Sequence, residues 1–128
     1  MTMSRLAALL GLIGSLLASS VNAQYIDGRT LEEWAQEFQR VRSGTGDYLS
    51  HIYHRRFQVY ILGVHDAYAS NPDAFPEDRQ FCRPSNASVN QVSMVVYRYL
   101  QENRGLPDEP ASVLVMNALI EAFPCGSG

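Results

Sequence analysis

The sequence predicts an all-α fold, a compact bundle of about four helices stapled by one disulfide. Three observations carry that expectation. Apolar residues recur at three- and four-residue spacing in successive segments, and no segment alternates convincingly as a strand. Only two cysteines occur, Cys82 and Cys125, and they bracket most of the second half. An export signal precedes them, so the pair is expected to meet an oxidising compartment and close.

The export signal comes first along the chain. Met1 to Arg5 form a short positive n-region, and Leu6 to Leu17 form an apolar h-region too short to span a bilayer comfortably. Val21-Asn22-Ala23 has the small-x-small pattern of a signal-peptidase site. The expectation is a cleaved signal peptide over residues 1–23 and one helical domain over 24–128. An uncleaved anchor is the alternative. No later segment is long and apolar enough to cross a membrane. The remaining chain of about 105 residues buries a modest core. Closing the loop between Cys82 and Cys125 adds up to roughly 4 kcal/mol in the chain-entropy account.

The first helix is expected from about Leu31 to Val41. Thr30 is the candidate N-cap, with Glu33 completing a capping box. Leu31, Trp34, Ala35, Phe38 and Val41 form its apolar stripe, and Ser43-Gly44-Thr45-Gly46 ends it. The second helix is expected from about Asp47 to Ala69. At about 100° per residue, Leu49, Tyr53, Phe57, Tyr60, Val64, Ala67 and Tyr68 gather on one face, taken as the core side. Val59 and Leu62 lie outside that arc, beside Arg55 and Asp66. That weaker strip is either buried because the helix is central, or it meets another chain.

Asn71-Pro72 stops the second helix. A Pro-rich, charged loop follows, pinned by Phe81-Cys82. Ser88 and Gln91 form a capping box for a third helix, with Val89, Val92, Val96, Tyr99 and Leu100 on its stripe. After the loop from Arg104 to Glu109, Pro110 suits the first position of a fourth helix. Val113 or Leu114, Ala118, Leu119, Ala122 and Phe123 carry its pattern to Pro124-Cys125.

Charge and motifs narrow the function classes. Without the leader, nine Arg face thirteen Asp and Glu. That mild acidity argues against a nucleic-acid binder, which needs a basic footprint. Asp47, His51 and His54 are spaced i, i+4, i+7, so one helical face can present all three to a metal. The plainer reading is a polar flank beside the core stripe, and no metal or other cofactor is expected. His65-Asp66 looks like a base beside an orienting acid, but adjacent helical residues point about 100° apart and are not expected to pair. No nucleophile elbow, phosphate loop, zinc pattern or catalytic carboxylate pair occurs, so no catalytic residue is assigned. Asn86-Ala87-Ser88 matches a glycosylation sequon, read here as the start of the third helix.

The second half forms one connected pattern. Phe81-Cys82-Arg83-Pro84 precedes a capped helix with Gln91 and the run Val95-Val96-Tyr97-Arg98-Tyr99-Leu100. Pro110-Ala111-Ser112-Val113-Leu114 follows, and Ala118-Leu119-Ile120-Glu121-Ala122-Phe123-Pro124-Cys125 closes it. Upstream stands Tyr60-Ile61-Leu62-Gly63-Val64-His65-Asp66-Ala67. From about Tyr53 to Cys125 the chain resembles the Tai family of type VI secretion amidase immunity proteins. The resemblance implies a small periplasmic all-α protein, often a homodimer, that binds and blocks a toxin delivered by neighbouring bacteria. It implies targets that are cell-wall amidases cutting the peptide stems of peptidoglycan.

Such an inhibitor needs a rigid scaffold and a projecting surface. Two loops are candidates for partner binding: Ser43, Gly44, Thr45, Gly46 and Asp47, and Arg104 to Glu109 with Asp108 and Glu109 as negative charges. Both are also ordinary connectors. Arg55, Val59, Leu62 and Asp66 are candidates for a dimer or partner face, against the plainer reading of a solvated helix edge. The alternative function is a small, single-disulfide acid-stress chaperone of the periplasm.

Overall fold

Asp27, not Thr30, caps the first helix. The computed structural model describes residues 25–106 and 108–126; the proposed signal peptide and its cleavage point lie outside them. Helix α1 spans Gly28–Arg42, and the Asp27 carboxylate accepts from the Thr30 N–H at 2.8 Å. The helix starts earlier than its own sequence indicates because another part of the chain holds its entry. Gly28 N–H donates to the Glu109 carbonyl at 2.7 Å, and Asp27 forms an isolated bridge with Pro110. Gly28 is buried, and a Cβ there would stand 2.6 Å from the Leu106 carbonyl oxygen. Leu31, Ala35 and Phe38 enter the core, as their spacing predicts.

Helix α2 spans Tyr48–Ser70, with Asp47 as N-cap accepting from the Ser50 amide at 2.9 Å. Its buried side is centred on Phe57, Ile61 and Tyr68, with Ser50. That arc is turned by about 60° from the predicted one. Ile61 therefore belongs to the core, whereas Leu49 is 56% exposed and Ala67 is exposed. The reason is tertiary: α2 packs chiefly against α1, and also against α3 and α4. Those neighbours fix how far the main apolar face is rotated toward the core.

Asn71 ends α2, and two short 3-10 turns follow at Pro72–Ala74 and Glu77–Arg79. This segment is anchored. Arg79 donates to the Asn117 side chain at 2.7 Å, and Gln80 donates to the Phe75 carbonyl at 2.9 Å. Phe81 is buried against Tyr68, with ring centroids 4.1 Å apart. Next to it, Cys82 is bonded to Cys125 with Cα atoms 4.9 Å apart, and its N–H donates to the Phe123 carbonyl at 2.7 Å.

Helix α3 spans Val89–Glu102 and opens on the predicted capping box. Gln91 N–H donates to Ser88 Oγ at 3.2 Å, and Ser88 N–H donates to Gln91 Oε1 at 2.7 Å. Val92, Val96 and Leu100 are buried, while Val89 stays partly open. Helix α4 spans Ala111–Ala122, with Pro110 one position ahead of the first helical residue. Leu114, Val115, Met116, Ala118 and Leu119 are all buried, so α4 is the apolar wall shared by the other three helices; Ala122 is exposed. Four helices, no strand among the described residues and one disulfide make up the predicted fold class. Among the described residues no helix is long and apolar enough to cross a membrane.

Candidate partner-binding face

The outer side of α2 stays open. Val59 is 68% exposed at its centre. A groove of about 830 Å³ lies between α2 and the start of α4, lined by Gly63, Val64, Phe75, Val113 and Met116 among others. A second groove of about 480 Å³ lies between α1 and α2, walled by Trp34, Ile52, Arg55 and Arg56. Val59 and Tyr60 line both, so the two are one continuous apolar surface. Trp34 and Tyr60 meet edge to face at 6.2 Å and stiffen its middle. Burial pushes the Tyr60 phenol above its ordinary range, against a lowering contribution from its hydrogen bond to Ser112.

The weaker strip of α2 thus faces outward within this chain. Of the four residues assigned to it, Arg55 and Val59 line the apolar surface. Leu62 is half-buried and lines neither groove. Asp66 is exposed and its carboxylate lies 3.1 Å from His65 Nδ1, contrary to the expectation that the two diverge. The Cβ directions do diverge, but both side chains are long enough to bend toward each other. The His65 ring itself is anchored against Phe81 at 5.8 Å. Sequence reasoning missed Ile52, Gly63, Val113 and Met116. Ile52 and Gly63 fall on the same helical face as Val59, so their spacing was the available signal.

The Asp47, His51, His54 series is not assembled into a cluster. Asp47 is turned to Ser50, accepting from its N–H and its Oγ, and these bonds hold its carboxyl below the ordinary range. His54 stacks on Phe38 at 5.0 Å, with Nδ1 buried and without a hydrogen-bond partner among the described residues. His51 is exposed. Among the described residues no group of three or more His, Cys, Asp or Glu is arranged to hold a metal ion.

The two candidate loops stand at opposite ends of α1, which is about 22 Å long for its 15 residues. They do not form one probe. At one end, Ser43 Oγ and the Thr45 N–H both donate to the Arg40 carbonyl at 3.0 Å, and Gly44 takes φ +78°. Gly46 lies against Val41, where a Cβ would stand 2.9 Å from a methyl group. The loop is therefore a tied turn. At the other end, Arg104 donates to Gln101, and Asp108 projects fully, 3.8 Å from Arg29. Glu109 contributes its carbonyl to Gly28 and leaves its side chain outside.

The described residues thus form a disulfide-tied helical scaffold with an open apolar face on α2 and loops at both ends of α1. The family model for Rap1a immunity proteins matches residues 27–125, and the chain belongs to that family. The match begins at the cap of α1 and ends at the second cysteine, so it includes α1, which the sequence resemblance did not reach. No curated protein and no solved structure matches the chain.

Proposed function

We propose that this chain is a periplasmic immunity protein of a type VI secretion system, exported by residues 1–23 and processed after Ala23. It binds a cell-wall peptidoglycan amidase delivered by neighbouring bacteria and blocks it without chemistry of its own. The observation that carries this reading is the immunity-family match over residues 27–125. The amidase target rests on the Tai resemblance of the second half. The homodimer contact is assigned to the apolar face around Val59, where the two grooves meet and the second apolar strip of α2 faces outward. The Ser43 to Asp47 turn and the Arg104 to Glu109 loop, at opposite ends of α1, are separate candidates for contact with the toxin.

The test is protection. Cells that express in the periplasm a toxin candidate encoded next to this chain should survive when the chain is co-exported, and die when its leader is deleted. Equal killing with and without the exported chain would refute the assignment.

A further inference from the structure

We propose that the face formed by the end of α1, the first half of α2 and α3 docks an acidic surface of the toxin. This rests on the immunity reading above and adds to it where the toxin sits and what charge it presents. The chain is net acidic. Yet two adjoining clefts, of about 310 and 650 Å³, are lined by Arg42 and Arg98 in one and by His51, His54 and Arg55 in the other, with no carboxylate in either wall. Asn90 lines both and joins them into one concave band.

The segregation is written in the chain. No Asp or Glu occurs between Asp47 and Asp66, or between Asp78 and Glu102. The ion pairs among the described residues are Arg29–Asp108, Arg40–Glu37 and His65–Asp66, so none of the three band arginines has a carboxylate within 4.0 Å. Two acids at the α1–α2 junction, Glu37 and Asp47, are committed elsewhere. Glu37 accepts from Ser50 and stands 3.7 Å from Arg40, and Asp47 caps α2. Arg42 lies over the Phe38 ring at 5.6 Å, while Arg55 and Arg98 make no hydrogen bond among the described residues.

Unpaired like charges held together oppose compaction. They favour association with a surface of opposite charge, chiefly through faster encounter and correct orientation. Gln58 donates to Asn90 at 2.7 Å across the α2–α3 junction and ties the two walls to each other. A concave band with Gln and Asn donors between its charges suits protruding Asp and Glu side chains. A flat anionic membrane would touch only the rims. The band adjoins the Ser43 to Asp47 loop and lies at the other end of α1 from Arg104 to Glu109.

The experiment compares the exported chain with an Arg98→Glu variant, at an exposed position that lines neither apolar groove and makes no hydrogen bond or ion pair among the described residues. Binding to the toxin encoded beside it is measured by calorimetry at 50 and 300 mM salt, with sedimentation onto phosphatidylglycerol vesicles alongside. Circular dichroism confirms that both proteins are folded. The expected result is an affinity for toxin that falls with salt, at least tenfold weaker in the variant at low salt, with a flattened salt dependence and no vesicle binding by either protein. Unchanged affinity and salt dependence in the variant would overturn the inference and leave the immunity assignment standing. Vesicle binding that the variant loses while toxin affinity holds would also overturn it, in favour of a membrane contact. A wild-type chain that binds no toxin overturns both.

Discussion

The Tyr68 hydroxyl clasps the backbone of Phe81 from both sides, donating to its carbonyl at 3.1 Å and accepting from its N–H at 3.2 Å. The two rings also stack. One side chain of α2 thereby replaces the hydrogen bonds that a strand or helix would have supplied to a buried loop residue. The position matters because Phe81 precedes the disulfide.

Removing that hydroxyl should therefore unsettle the loop. Tyr68→Phe keeps the stacked ring but leaves a buried N–H and carbonyl without partners. A loss of about 1–3 kcal/mol is expected in urea unfolding. A change below a few tenths of a kcal/mol would show that the clasp is replaceable.

Two glycines should respond in opposite directions. At Gly28 an added Cβ meets the Leu106 carbonyl oxygen at 2.6 Å and the Leu114 side chain at 2.7 Å. Backbone cannot give way cheaply, so Gly28→Ala should destabilise by about 1–3 kcal/mol. At Gly63, inside α2, a Cβ meets open space. Gly63→Ala should stabilise the folded monomer by up to about 1 kcal/mol through helix propensity alone. Thermal melts of both variants under dilute conditions check the pair of signs.

Replacing both cysteines by serine releases a loop of 43 residues. The loss should approach about 4 kcal/mol if the denatured chain is the main beneficiary. The backbone bond from Cys82 to Phe123 survives the change and holds the two segments near each other. A melting temperature unaffected by the double substitution would mean the helices alone hold this end.

Val59→Glu places a carboxylate in the middle of the outer apolar face without touching the core. On the homodimer proposed above, sedimentation velocity should show the wild type as a dimer and the variant as a monomer, at unchanged helicity. A variant that sediments as the wild type does would move the dimer contact elsewhere.

Acid should loosen two helix starts. Asp27 is held below its ordinary value of 3.8 by the Thr30 hydrogen bonds, and Asp47 below the same value by those of Ser50. Each folded value is depressed, so each carboxylate contributes its stabilisation fully above the unfolded value. That contribution is lost as pH falls through the folded value. Stability should therefore decline below about pH 4, and an Asp27→Asn, Asp47→Asn variant should show a shallower decline. Parallel pH profiles for the variant and the wild type would assign the acid sensitivity to other groups.

Some of this molecule was legible residue by residue. The Ser88 and Gln91 box is a local exchange of two hydrogen bonds, and local spacing was sufficient to find it. Of the stripe Leu31, Trp34, Ala35, Phe38 and Val41, three residues are buried and Trp34 and Val41 are half-buried at its margins, so the single apolar face of α1 was legible in direction though not in width. Helix α2 was harder because its apolar residues spread over a wide arc. Leu49 and Ala67 were placed inside and Ile61 was passed over, since periodicity gives the direction of such an arc only coarsely and the neighbouring helices set its final rotation. The Thr30 cap failed for a similar reason. A bond from Gly28 to Glu109, some eighty residues away, extended the helix backward.

The amino-acid order alone determined the helical class, the number of helices, the α3 cap and the pairing of its two cysteines, because each depends on neighbours in the chain or on there being only one possible partner. The packed structure decided the rotation of α2, the outward turn of Val59, the separation of the two loops to opposite ends of α1 and the gathering of Arg42, Arg55 and Arg98 on one face. Those outcomes depend on which surfaces four helices bury against one another. That competition is settled by summed contact over the whole core, and no single segment encodes it.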